Sequence, residues 1–129
     1  MGIIAQLLGT RGKYLKEESP LYTWNVGAIG ASGAVSIDPN ITFPASRKYA
    51  PLNSIVVINN DVVDIQLTIN GKEVLYIPAG AIQPVAGDLG LTHLTITNLD
   101  AGVAVTAGKV YANLQRTAAD INDLAREVL

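Results

Sequence analysis

Short segments in which apolar and polar residues alternate fill the chain between residues 52 and 115, and turn-forming residues separate them. Alternation with a period of two is typical of a β-strand that buries one face. The clearest case is 64–77, where two such segments flank Asn70 and Gly71. A type I′ turn needs positive φ at both central residues, and Asn-Gly tolerates this conformation best. The sequence therefore predicts a β-hairpin with Asn70-Gly71 at its tip.

Further strand patterns surround this hairpin. The run 55–58 is apolar throughout, as in a central strand, while 81–85 is expected to be a short edge strand because Pro84 cannot donate to a ladder. Other strands are predicted at 21–26, 91–98, 103–107 and 109–115, with one or two weaker strands within 34–43 and a loop at 44–51. No long helical period interrupts them. We therefore predict an all-β domain over residues 21–116, an antiparallel β-sandwich or a jelly-roll-like barrel.

The N-terminal stretch 1–20 is expected to form an arm or short helix followed by a polar linker. Its apolar residues would lie on one side: Ile3, Ile4, Leu7 and Leu8. This side is predicted to dock on the chain's own domain or to pack on a neighbouring subunit or another apolar surface. Contact with a membrane is a third alternative, although no stretch approaches the roughly 20 apolar residues of a spanning helix.

The C-terminal stretch 117–129 changes to a helical period. Thr117 is a suitable N-cap, and Asp120 follows three residues later as in a capping box. One apolar stripe follows at helical spacing: Ile121, Leu124, Ala125 and Val128. A helix of about three turns is marginal alone, so it is expected to pack on its own sandwich or on the same helix from other copies. The predicted interface residues are Ile3, Ile4, Leu7, Leu8, Ile121, Leu124 and Val128.

Composition favours a protein that contacts partners. Hydrophobic residues make up 49% of the 129 residues and charged residues only 16%, with a mean hydropathy of +0.30. A surface poor in charge suits subunit contacts. The net charge of −2 provides no basic surplus for a phosphate backbone, so direct nucleic-acid binding is not expected. The lack of cysteine excludes a disulfide framework and a zinc–thiolate site.

Residues with catalytic potential are few and scattered. His93 is the single histidine and is predicted to point outward from a strand, which disfavours a catalytic triad or an imidazole metal site, including that of a cupin-like enzyme. Asp61 and Asp64 flank a turn, where aspartate commonly binds backbone amides. The glycines of 27–33 do not follow the order of a phosphate-binding loop. We therefore expect no enzymatic activity, no cofactor and no metal.

Aromatic residues suggest an alternative function. Trp24 and Tyr22, together with other tyrosines, could stack on sugar rings in a carbohydrate- or ligand-binding module used for attachment. Because these aromatics make up only 5% of the chain and belong to different strands, roles in the core or at a subunit interface are favoured.

Several short segments form a recurring pattern. They are 57–60 (VINN), 65–71 (IQLTING), 76–80 (YIPAG), 94–98 (LTITN) and 107–110 (AGKV). This pattern, over about half of the chain, resembles that of small structural proteins of phages and other double-stranded DNA viruses. The resemblance implies a non-enzymatic virion component, such as a decoration, minor capsid, spike or baseplate protein. It would be located in the virion and would contact itself and other virion proteins as a homo-oligomer, for which we predict a trimer.

Overall fold

The structure, a computed structural model, describes residues 18–117, apart from the side chains of 86–89. Its eight strands are β1 (Tyr22–Asn25), β2 (Ala34–Ile37), β3 (Leu52–Asn59), β4 (Ile65–Ile69), β5 (Glu73–Ile77), β6 (Ile82–Leu91), β7 (Leu94–Asn98) and β8 (Val110–Gln115). Two short helices connect β2 to β3: α1 (Pro39–Thr42) and a 3₁₀ helix (Pro44–Tyr49). The prediction of a mainly β domain is confirmed.

The strands form two antiparallel four-stranded sheets. The first sheet has the order β1-β8-β3-β6, and the second has the order β2-β7-β4-β5. Strand β1 thus pairs with β8, β2 with β7, β3 with β6 and β4 with β5, as if one long hairpin had been folded over itself. This winding is that of a jelly roll, and it confirms the sandwich or barrel prediction.

The inner faces of the two sheets form one hydrophobic core. Strand β4 shows the alternation most clearly, because Ile65, Leu67 and Ile69 are fully buried while Gln66 and Thr68 are half-buried on the other side. Strand β7 follows the same rule with Leu94 and Ile96. The period of two in the sequence therefore identified which face of these strands is buried.

The predicted hairpin tip is confirmed. Asn70 has φ of 55° and Gly71 has φ of 71°, as a type I′ turn requires. The backbone N–H of Lys72 donates to the carbonyl of Ile69 at 3.0 Å, which closes the turn. Ile69 nevertheless pairs with Glu73, so three residues (70–72) connect β4 to β5 and Lys72 is one residue more than a two-residue turn requires.

The prediction of one or two weak strands within 34–43 is met by the single strand β2, whereas the predictions of a loop at 44–51 and a strand at 103–107 are wrong. The segment after β2 forms helix α1 because the Asp38 side chain accepts from the N–H of Asn40 and Pro39 occupies the first turn. The 3₁₀ helix occupies the predicted loop. The segment 103–107 contributes only a bridge between Val105 and Ile29. The N–H of Val103 donates to the Asp100 carboxylate in a turn and is therefore not available to a neighbouring strand.

Strand β6 keeps its predicted place at a sheet edge but is longer than expected. It spans ten residues, from Ile82 to Leu91, and pairs with β3 on both sides of a register shift between Leu52 and Ser54. The short edge strand was predicted because Pro84 cannot donate to a ladder. Pairing with the long central strand β3 extends it instead.

The predicted terminal arm and terminal helix lie outside the described residues. So do the residues proposed for an interface: Ile3, Ile4, Leu7, Leu8, Ile121, Leu124 and Val128. Within residues 18–117, none of the helices has the length and apolar character needed to cross a bilayer.

Candidate functional site: the outer faces of the sheets

Two buried asparagines hold the turns that follow β3 and β7. Asn59, with no exposed surface, donates from its amide to the carbonyls of Val63, Ile77 and Pro78 at 3.0, 3.3 and 3.2 Å. Its Oδ1 accepts from the N–H of Asp61 at 3.0 Å. One side chain thus binds four backbone groups from two separate turns, with the two amide hydrogens shared among three carbonyls.

Asn98 repeats this arrangement at the end of β7. Its amide donates to the carbonyls of Ile29, Gly30 and Val103, and its Oδ1 accepts from the N–H of Asp100. In both places an asparagine ends the strand and an aspartate follows two residues later. This repeated Asn-x-Asp spacing was visible in the sequence, but only the folded chain shows which distant carbonyls it binds.

The aspartates of these motifs bind backbone amides. Asp61 is 7% exposed and accepts from the N–H of Val62 at 2.6 Å and that of Thr106 at 2.7 Å. Asp100 accepts from the N–H groups of Gly102 and Val103. The predicted role of Asp61 in a turn is therefore confirmed.

The outer face of the second sheet, called here the polar face, has no charged residue at its paired positions. Its outward residues form two rows across the strands, Ala34-Thr97-Gln66-Tyr76 and Ser36-Thr95-Thr68-Val74. Within the second row, the hydroxyls of Ser36 and Thr95 share a hydrogen bond of 2.8 Å. At the β5 edge, Val74 is 57% exposed and Tyr76 is 58% exposed. The polar face is thus rich in hydroxyl groups and has an apolar and aromatic border.

The outer face of the first sheet is also uncharged at its paired positions but more apolar. Its rows are Thr23-Asn113-Val56-Pro84 and Asn25-Tyr111-Ile58-Ile82. Together, Val56, Ile58, Ile82, Pro84 and Tyr111 form what we call the apolar strip. Charged residues such as Lys72, Asp100 and Lys109 lie in turns between strands. The fold thus leaves both sheet faces free of charge at these positions.

Asp64 and Tyr76 form a polar contact at the border of the polar face. The Tyr76 hydroxyl donates to Oδ2 of Asp64 at 2.5 Å, and the N–H of Ala79 donates to Oδ1 at 2.9 Å. These two bonds, the tyrosine's first, lower the pKa of Asp64 below 3.8. The same bond to the carboxylate raises the pKa of Tyr76 above 10.0.

Tyr76→Phe is expected to raise the pKa of Asp64 while leaving it below 3.8, because the N–H of Ala79 still donates. In the native protein, this contact stabilises the fold above pH 3.8, and its contribution is lost as pH falls through the lowered pKa of Asp64. The contribution of the Tyr76 hydroxyl to the same bond is complete between pH 3.8 and pH 10.0 and is lost as pH rises through its raised pKa. NMR titration of the Asp64 carboxyl measures the effect.

The matched control is Tyr111→Phe, on the other sheet. It is expected to leave the Asp64 titration unchanged. An identical Asp64 pKa in Tyr76→Phe and in the native protein would contradict the assigned bond.

The remaining predicted site residues do not come together. His93 is exposed, and its backbone N–H donates to Oδ1 of Asn70. Trp24 is only 7% exposed and belongs to the core, so it is not a stacking platform for sugars. Tyr22 packs against Phe43 with ring centroids 5.6 Å apart. Among residues 18–117, no three histidine or acidic side chains are grouped so that they could hold a metal ion.

Comparison with protein-family models, with curated proteins and with solved structures gave no match to this chain.

Proposed function

We propose that the protein is a non-enzymatic structural subunit that acts through self-assembly and contacts with other proteins. Residues 52–115 resemble capsid and virion components of the decoration, minor capsid or spike type, and we propose that role for the subunit. The polar face is the observation that supports self-assembly and protein contacts.

The chemistry of the polar face suits contact with a second copy. Burying a charge costs several kcal/mol unless it is paired, and the cores of interfaces are accordingly depleted in charge and enriched in tyrosine. The paired positions of the polar face carry no charge, and Tyr76 and Val74 are exposed at its border. Contact at the two rows would therefore remove apolar and hydroxyl surface from water, provided that the Asp64 carboxylate bonded to Tyr76 stays at the solvated rim.

The size of the polar face indicates that another segment contributes. Four strands about 4.8 Å apart, each of four or five residues, cover only a few hundred Å². A stable interface buries about 800 Å² per partner. The N-terminal residues Ile3, Ile4, Leu7 and Leu8 are the proposed addition.

Val74→Lys is expected to weaken self-assembly at least about tenfold, because association would desolvate an unpaired ammonium group. A tenfold loss of affinity corresponds to about 1.4 kcal/mol. Val62→Lys is the control, since Val62 is 83% exposed in the turn after β3 and lies outside both faces. Light scattering over a concentration series measures the native mass. We expect an oligomer, a trimer by our prediction, for the native chain and for Val62→Lys.

A native chain that stays monomeric at every concentration would contradict the proposal. So would a Val74→Lys variant that assembles like the native protein.

The alternative of a carbohydrate-binding module retains one observation in its favour. Tyr76 is exposed beside Gln66 on a face of hydroxyl groups, an arrangement that suits a sugar ring. Under this alternative, the native protein would bind a glycan without self-assembling, and Tyr76→Ala would abolish glycan binding.

A further inference from the structure

The apolar strip lies on the outer face of the first sheet, outside the hydrophobic cluster between the two sheets. Ile58 alternates with the inward-facing Val57 and Asn59 and lies outside the core cluster, although only 8% of its surface is exposed. Its partner across the ladder, Ile82, is 64% exposed, and Pro84 in the next row is also exposed. A solvated sheet face normally carries polar side chains, so the exposed part of the strip, at Ile82 and Pro84, is where a cover would bury the most apolar surface.

The C-terminal segment 118–129 follows the last strand of the first sheet, which also carries the apolar strip. Thr117 follows β8, which lies between β1 and β3. The Asn53 side chain holds Thr117 by accepting from its N–H at 2.8 Å and donating to its carbonyl at 3.4 Å. The N–H of Arg116 donates to the Ser19 hydroxyl at 2.8 Å. Thr117 is thus anchored beside Asn53, near the start of β3.

The segment 118–129 has the length and pattern to cover the strip. As a helix, its twelve residues would span about 18 Å, whereas four strands span only about 14 Å from first to last. The stripe of Ile121, Leu124 and Val128 begins four residues after the anchor at Thr117. The N-terminal arm fits less well, because it leaves from the edge strand β1 and ten residues separate Leu8 from Ser19.

We propose that residues 118–129 dock as an amphipathic helix on the apolar strip of their own copy, with Leu124 close to Val56 and Val128 close to Ile82. This docking does not depend on the proposed function, and it leaves the polar face free for other contacts.

Disulfide trapping tests the docking in the full chain, which has no cysteine of its own. The double variants are Val56→Cys with Leu124→Cys, and Ile82→Cys with Val128→Cys. The control is Val62→Cys with Leu124→Cys, since Val62 is exposed beyond the opposite end of β3. After mild oxidation, intact mass and non-reducing electrophoresis distinguish bonds within a copy from bonds between copies.

At least one of the two test pairs is expected to form an intramolecular disulfide at least about tenfold faster than the control. Two pairs are used so that a folding defect or a small shift in register at one site does not decide the result. Bonds mainly between copies would overturn the proposal, because the segment would then cover a neighbouring subunit. Rates no higher than that of the control in both pairs would overturn it as well.

Discussion

Replacing Asn59 by leucine is expected to lower the free energy of unfolding by about 3 kcal/mol or more. The substitution keeps the approximate volume but leaves the carbonyls of Val63, Ile77 and Pro78 and the N–H of Asp61 without their partner. Each buried group left unpaired costs about 1–3 kcal/mol, partly relieved where water can enter. For a domain of this size the loss corresponds to a decrease in Tm of roughly 10–20 °C.

Asn60→Leu is the matched control. Asn60 is the next residue and is exposed, so its replacement is expected to change stability by no more than about 0.5 kcal/mol. Urea denaturation of both variants gives the comparison. Equal midpoints for the two would show that the Asn59 network does not stabilise the fold. Asn98→Leu is expected to behave like Asn59→Leu, because Asn98 also binds three carbonyls and one N–H.

Leu67→Ala is expected to destabilise the protein by about 2–5 kcal/mol, since truncating a buried leucine removes transfer free energy and leaves a cavity. Leu67 has no exposed surface and lies on the middle strand β4, between Leu75 on β5 and Ile96 on β7. Neighbours on both sides restrict the collapse that would otherwise fill the cavity. The midpoint of urea unfolding measures the loss, with the slope of the transition as a check on two-state behaviour.

Gln66→Ala is the control for this prediction. Gln66 precedes Leu67 on the same strand but points to the polar face, so a change within about 0.5 kcal/mol is expected. If both substitutions cost the same, the assignment of inner and outer faces on β4 would be wrong.

Features that depend on neighbouring residues were predictable from the sequence. The turn at Asn70-Gly71 follows from the conformational preferences of these two residues, and the burial of Leu67 and Leu94 follows from their period of two. The segment 34–51 was less predictable because capping by Asp38 and the helix-starting Pro39 and Pro44 compete with weak strand propensity. The length of β6 was underestimated because its partner β3 lies more than twenty residues earlier in the chain.

The uncharged faces show why the candidate site was only partly predictable. Low charge in the composition indicated a surface for partners, but no pattern in the sequence places Tyr76 in one row with Gln66, Thr97 and Ala34. Trp24 shows the opposite case, because an aromatic residue in a strand fits a core or a binding surface equally well until the partner strand is known. In the structure it pairs with Ala112 and is buried.

By itself, the sequence determined the strands around the hairpin, the residues that point inward and the scarcity of charge, because these depend on local preferences and on the side-chain period of two. Only the tertiary structure decided the order of strands in the two sheets, the carbonyls bound by Asn59 and Asn98, and the rows of the polar face and the apolar strip. The physical reason is that each of these features joins segments far apart in the chain. The free energy that stabilises these features comes from burial and hydrogen bonding between those segments. The pattern within one segment does not indicate which other segment it packs against.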